Sequence, residues 1–189
     1  MFGDPTLNSK EYLTDLIGNK CFVTKLAGFE YTQYIRYEEH GDVIMVKAQN
    51  VKNGKLNDKD LSFISDDVSN SLPRSQLKEN DVVMTYIGAN IGDVAVIDNK
   101  HKYHLAPNVA KIRPNKSTFN SRFLCVMLAM MTEYIINNSS DTAKGALNME
   151  KIRKLKVLCP DLNQQNEFEN FYNLIDKSKF NRRRSSLCC

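Results

Sequence analysis

"GDVIMVKAQNVKNGKL", residues 41–56, decides the fold class. Val43, Ile44, Met45 and Val46 form a short, largely β-branched apolar run, the pattern of a strand buried on both faces. Asn53-Gly54 follows, and both residues tolerate the positive φ of a tight hairpin turn. Between run and turn lie Lys47, Ala48, Gln49, Asn50 and Lys52, polar side chains where an apolar strand would continue. Extended backbone would send Lys47 and Gln49 to one face and Asn50 and Lys52 to the other. Amides match the N6/N7 edge of adenine, and lysine reaches guanine or a phosphate. A polar strand end turned to water is the plainer account of the same residues.

Outward from this stretch the signals are mostly β. Cys21–Val23, Leu61–Ile64, Asp81–Ile87, Asp93–Ile97 and Val109–Ile112 read as strands, the third and fourth joined by the turn "GANIG". Ser65 is placed to cap helical turns in "SDDVSNSL". Residues 1–20 read as an irregular lead-in. From Thr118 the period changes: Phe119, Phe123, Met127, Met130, Met131 and Tyr134 predict one amphipathic helix to about Asn137. "NNSSDTAKGALN" reads as a loop, Asn148–Ile152 as a short helix and Leu155–Leu158 as a strand stopped by Pro160. A last helix starts near Asn163, with Phe168, Phe171, Tyr172 and Ile175 on one face and Leu174 alongside. The expected fold is α+β, a curved and partly barrel-like sheet with a few helices.

At 189 residues the chain is long enough for one good core. Mean hydropathy is −0.43 and no apolar run approaches the length of about 18 residues that suggests a membrane span. With no signal peptide read at the N-terminus, a cytoplasmic protein is expected. The five cysteines show no Cys-x-x-Cys and no nearby histidine, so neither zinc nor a disulfide framework is expected. Cys125 and Cys159 read as small core residues. The net charge of +4 less the three units of Arg182, Arg183 and Arg184 leaves +1 for the body. Yet Asn99–Thr132 holds no acid, while Lys100, Lys102, Lys111, Arg113, Lys116 and Arg122 fall inside it. That is either a local basic surface or a solvated stretch that happens to lack acids.

Catalytic patterns are missing. There is no glycine-rich cofactor loop with an Asn/Asp-Pro-Pro-aromatic motif, no phosphate-binding loop and no clustered carboxylates with a lysine. His101 and His104 flank Lys102-Tyr103 in an extended segment and suit a polar contact better than a metal. Tyr31, Tyr34 and Tyr37 recur at three with Arg36 among them, as a stacking or phosphate-contacting surface or as tyrosines half-buried beside a sheet. No catalytic residue and no metal site is expected.

Taken in order, "GFEYTQYI", "VIMVKAQNVKNGKL", "LPRSQLKENDVVMTYIGANIGDVAVI", "YHLAPNVAKIRP" and "LNMEKIRKLKVLCPDLNQQNEFENFYNLID" resemble the specificity (S) subunit of type I restriction–modification systems. They lie within the span Lys25 to Asp176. The last is similar to the family's junction, where a strand ends in proline and a long spacer helix begins. Pro160, Leu162 and Gln165 occupy matching places, while Asp161 replaces a second proline and Gln164 the usual acid.

The resemblance implies a target recognition domain over 1–160, the start of a spacer helix over 161–181, and a disordered tail over 182–189. It implies a non-catalytic reader of one half of a bipartite double-stranded DNA target. Modification subunits carrying S-adenosylmethionine would methylate adenine, and an ATP-driven restriction subunit would translocate and cut. The chain itself would hold no cofactor. It departs from the family pattern in having one recognition domain, as expected of a half-subunit that dimerises, a truncated product or a shuffled cassette. A truncated specificity fragment that binds the modification subunit or another S chain without directing methylation is the alternative. The residues expected at DNA are Tyr31, Arg36, Lys47, Gln49, Asn50, Lys52, Arg74, Thr85, Asn90, Lys102 and His104. Those expected at a partner helix, including that of a second copy, are Phe168, Phe171, Tyr172 and Ile175.

Overall fold

The computed structural model describes residues 1–137 and 146–185, without the side chains of 177 and 179–185. The expected loop at 137–148 lies largely outside the described residues. In chain order the elements are β1 (Thr14–Leu16), α1 (Ile17–Lys20), β2 (Cys21–Lys25), α2 (Gly28–Tyr34), β3 (Val43–Val46), β4 (Val51–Lys52), β5 (Lys55–Leu56), β6 (Phe63–Ile64) and α3 (Asp66–Ser71). Then come β7 (Gln76–Leu77), β8 (Val82–Thr85), β9 (Val94–Val96), β10 (Lys102–Leu105), β11 (Val109–Pro114), α4 (Ser121–Met130), α5 (Thr132–Asn137), α6 (Met149–Arg153), β12 (Lys156–Leu158) and α7 (Leu162–Ser185). Short 3₁₀ turns at Ala48–Asn50 and Pro73–Ser75 precede β4 and β7.

Two four-stranded sheets, β6-β3-β10-β7 and β2-β11-β8-β9, carry the domain, and they are not closed into a barrel. The second sheet has apolar side chains on both faces because its strands alternate. Val23, Val82, Met84, Ala110 and Ile112 turn toward the helices. Val83, Ala95 and Val109 turn toward the first sheet. All four residues of β3 are buried, as its continuous apolar run demands. Lys102–Leu105 runs parallel to Val43–Val46, and the other pairings between these strands are antiparallel.

Local chemistry accounts for several element ends. Asn53 (φ 53°) and Gly54 (φ 78°) turn the β4–β5 hairpin. Ser65 Oγ accepts from the Val68 N–H to start α3, and Asn120 Oδ1 accepts from the Arg122 and Phe123 N–H groups to start α4. Asp161 accepts from the Gln164 N–H and so caps α7.

Three expectations change. The lead-in is not wholly irregular: Thr14–Leu16 pairs with Lys156–Leu158, strands too short to show a period. The long helix breaks at Met131, where Thr132 packs on Gly92 of the β8–β9 turn. The last helix continues to Ser185, so 182–185 are helix and not tail; 186–189 lie outside the described residues. From Leu162 to Ser185 there is no glycine or proline to break the helix.

Helix α7 is seated on α4. Phe2, Phe123 and Phe168 form an edge-to-face triad with centroids 4.9–5.9 Å apart. Phe168 and Tyr172 are therefore half-buried against the body, and the open apolar face of α7 is Phe171, Leu174 and Ile175. No described helix is long and apolar enough to cross a membrane.

Candidate nucleic-acid interface

Strands β3 and β10 end at the same level, since Val46 stands opposite Leu105. Ala106–Asn108 then carries the chain into β11. Its Val109 faces Thr85 at the end of β8, and Ala110 faces Lys25 at the end of β2. Strand ends from both sheets therefore meet at one rim. The Ala106 N–H donates to Val46 O and the Tyr86 N–H to Asn108 O, cross-linking the loops that leave it. The Ala48–Asn50 turn, the Gly88–Gly92 turn and Asn108 (φ 70°) stand there.

The opening stretch does not continue as a strand. It stops at Val46 and bends because Asn50, 2% exposed, folds back into the protein. Its Oδ1 accepts from the Lys47 N–H at 3.1 Å, and its Nδ2 donates to Asn57 O at 3.1 Å and Lys59 O at 2.8 Å. The expected alternation of faces fails for that reason. Gln49 and Lys52 are exposed, and the half-buried Lys47 donates from Nζ to Ser62 Oγ. Asn50 is corrected from a base contact to a bracket that shapes the turn.

Thr85 and His104 are corrected too, since both are fully buried. Thr85 lies on the face of β8 turned to the first sheet. His104 lies mid-sheet, its Nδ1 3.0 Å from Leu105 O, and burial holds its imidazole below the ordinary range. Lys102 stands at the opposite end of β10 and pairs with Asp66. Arg36 closes α2 by donating to Thr32 O and Ile35 O, and Tyr31 is half-buried, its ring 6.1 Å from that of Tyr37. Arg74 is exposed on the flank, 3.9 Å from Glu30. The rim thus gathers Lys47, Gln49, Lys52 and Asn90 from the expected set. It also holds two residues the sequence reading missed, Lys25, whose ammonium is 5.4 Å from the Tyr86 ring, and the exposed Asn108. An Asn directly after Pro107, between two strand signals, was the available sign of the second.

The acid-free stretch does not make a basic surface. Acids from elsewhere in the chain reach it: Arg113 is bidentate to Asp81 at 2.6 and 2.7 Å, and Asp66 takes Lys102. Lys111 is 1% exposed, its Nζ donating to Arg74 O and Gln76 O. At the rim, burial raises the Asp93 carboxyl and Lys52 opposes the rise. Among described residues no group of three His, Cys, Asp or Glu could hold a metal.

Burial first, then the neighbouring Arg113, pulls the Lys111 ammonium down to about 8. An unfolded lysine titrates at about 10.4, so between the two values the unfolded chain holds a proton that the folded chain has released. This side chain then adds stability as pH rises through that window, and a neutral amine can still serve both carbonyls. The thiols of Cys21 and Cys125, pushed up to about 12 by burial, act with the opposite sign over pH 9–12. The quantity to measure is therefore the difference between wild type and Lys111→Met in urea unfolding at pH 7 to 10. That difference is expected to shift in favour of wild type above pH 8, and a flat difference would show that the ammonium is not desolvated.

The family described as the type I restriction modification DNA specificity domain matches residues 22–186. The type I restriction enzyme EcoBI specificity subunit of Escherichia coli is 24% identical over 125 residues, 65% of this chain and 26% of that protein. A chain from a study of complex assembly and conformational transition of the type I R-M system superposes with a TM-score of 0.65 at 15% identity, over 92% of this chain and 40% of the other. The HsdS subunit from Thermoanaerobacter tengcongensis gives 0.62 at 14% identity, over 92% and 39%. The S subunit of a type I restriction-modification system from M. genitalium gives 0.61 at 12% identity, over 94% and 43%. At these identities the structures speak for the fold alone. The chain spans 26% of the curated relative's length and 39–43% of the solved chains.

Proposed function

The chain belongs to the type I restriction modification DNA specificity family, and from that premise we propose that it reads DNA sequence through the rim where its two sheets end. The observation that carries this reading is the turn Ala48–Asn50. Buried β3 anchors it, Asn50 brackets it from inside, and Gln49 is presented outward. Gln49, Asn90 and Asn108 supply paired donors and acceptors suited to base edges. Lys25, Lys47, Lys52 and Arg74 supply cations for phosphates against Glu30 and Asp93. With a body charge near +1, affinity is expected to rise when partners add phosphate contacts.

In this reading the chain recognises one half of a bipartite double-stranded target and performs no chemistry itself. Modification subunits bring S-adenosylmethionine and methylate adenine, and a restriction subunit uses ATP, all in the cytoplasm. The open face of α7, Phe171, Leu174 and Ile175, suits a second helix, from another S chain or a second copy of this one. That face also favours a second reading, an interaction module that binds such partners without directing methylation.

Co-expression with the modification subunit, followed by mapping of N6-methyladenine, tests both. A new methylated motif is expected, and Gln49→Ala is expected to change or abolish it while leaving stability within about 0.5 kcal/mol. If the subunits co-purify and no motif appears, the interaction module stands in its place. An unchanged motif in Gln49→Ala removes this turn from the contact surface.

A further inference from the structure

The β4–β5 hairpin joins the reading turn to the terminal helix. Its strands leave Asn50 and return to Asn57, and these residues bond in both directions, the Asn57 N–H to Asn50 O at 2.8 Å and Asn50 Nδ2 to Asn57 O at 3.1 Å. Three residues, the two of β4 and Asn53 of the turn, separate Asn50 from the hairpin tip at Gly54. That tip is clasped. Arg122 Nη1 donates to Gly54 O at 2.9 Å, and the same guanidinium lies 5.2 Å from the centroid of the Tyr172 ring on α7. The Gly54 N–H donates to Val94 O, which holds the tip to the sheet as well.

Arg122 stands in the first turn of α4 and is half-buried. A guanidinium suits this place because its edge donates while its face stacks; an ammonium cannot do both with one planar group. We infer that Arg122 is a positioning residue for base recognition, setting through the hairpin where Lys47 and Gln49 stand relative to α7. This rests on the reading that the rim contacts DNA. The hairpin is pinned at both ends, at one by Arg122 and Val94 and at the other by the Asn50 bracket. A change in how the tip sits on α7 therefore displaces the turn and cannot be absorbed by slack loop.

The test is the sequence preference of the full chain assembled with its modification subunit, selected from a randomised duplex library. Wild type, Gln49→Ala, Arg122→Met, Arg122→Lys and Tyr172→Leu are compared, with thermal unfolding alongside. Arg122→Met and Tyr172→Leu are expected to cut the preference for the best base over the next by about tenfold, at the positions Gln49→Ala affects. Arg122→Lys keeps the charge and is expected to recover less than half of that preference. The double variant Gln49→Ala/Arg122→Met is expected to lose no more selectivity than Gln49→Ala alone. Equal weakening at every sequence, with the ranking intact, overturns the inference and leaves Arg122 a fold-holding residue. Should Arg122→Met not fold, Tyr172→Leu decides alone. A shift with Gln49→Ala but none with the Arg122 and Tyr172 variants overturns this inference and spares the rim, whereas no shift with Gln49→Ala overturns both.

Discussion

Asn50→Ala is expected to cost about 2–4 kcal/mol of folding stability and to abolish sequence-directed methylation, although the side chain is buried inside the turn. Three hydrogen bonds converge on this carboxamide, and it is 2% exposed. Removal takes this partner from the Lys47 N–H and from the Asn57 and Lys59 carbonyls, at roughly 1–3 kcal/mol for each group that water does not then reach. The turn would then lose what bends it away from the line of β3. Asn50→Asp sharpens the argument. A carboxylate still accepts from the Lys47 N–H but faces two carbonyl oxygens it cannot serve, so it is expected to be no better than alanine. Urea unfolding checks the first part and methylation mapping the second. A stability loss under 0.5 kcal/mol for Asn50→Ala would mean that the bend is held by backbone alone.

That residue also marks where sequence reading ends. Features held by neighbours in the chain were legible: the Asn53-Gly54 turn, the Ser65 cap, the hairpin around "GANIG", and the proline that closes β12. Features held by distant partners were not. Asn50 turns inward because Asn57 and Lys59 offer carbonyls, and period-2 alternation cannot anticipate a 3₁₀ turn made by such a bond. His104 and Thr85 carry polar side chains on strands whose both faces are covered, which depends on how two sheets stack. The acid-free stretch misled for the same reason. Asp81 lies 32 residues from Arg113 and Asp66 lies 36 from Lys102, so local composition could not reveal either pairing. The rim is a product of register, since Val46 and Leu105, and Thr85 and Val109, come level only once the strands pair. Single candidate residues could be named from the sequence, but their grouping could not.

Gln165→Ala should loosen α7 from the body and cost about 2–4 kcal/mol, the second large effect expected of one side chain. Gln165 is fully buried. Its Nε2 donates to Thr118 O at 3.0 Å and Pro160 O at 2.9 Å, and its Oε1 accepts from the Asn120 N–H at 2.9 Å. One amide therefore holds together the end of β12, the residue that caps α4 and the first turns of α7. Asn120 Nδ2 adds bonds to Asn166 Oδ1 and Glu169 Oε2, so the α4 cap and the α7 start form one network. Alanine strands three backbone groups at the point where the helix joins the domain. Gln165→Glu keeps the shape and tests the donors alone. Its ionised carboxylate would face two carbonyls, so the neutral acid is favoured in the folded state and the variant is expected to weaken as pH rises above the usual carboxylate range. Chemical unfolding from pH 4 to 8 reads this directly. A Gln165→Glu variant as stable at pH 8 as at pH 4 would show that the donors are dispensable, and hydrogen exchange along α7 would then be expected to match wild type. If the donors matter, exchange in the first turns of α7 rises in both variants while the sheet amides of β8 and β11 stay protected.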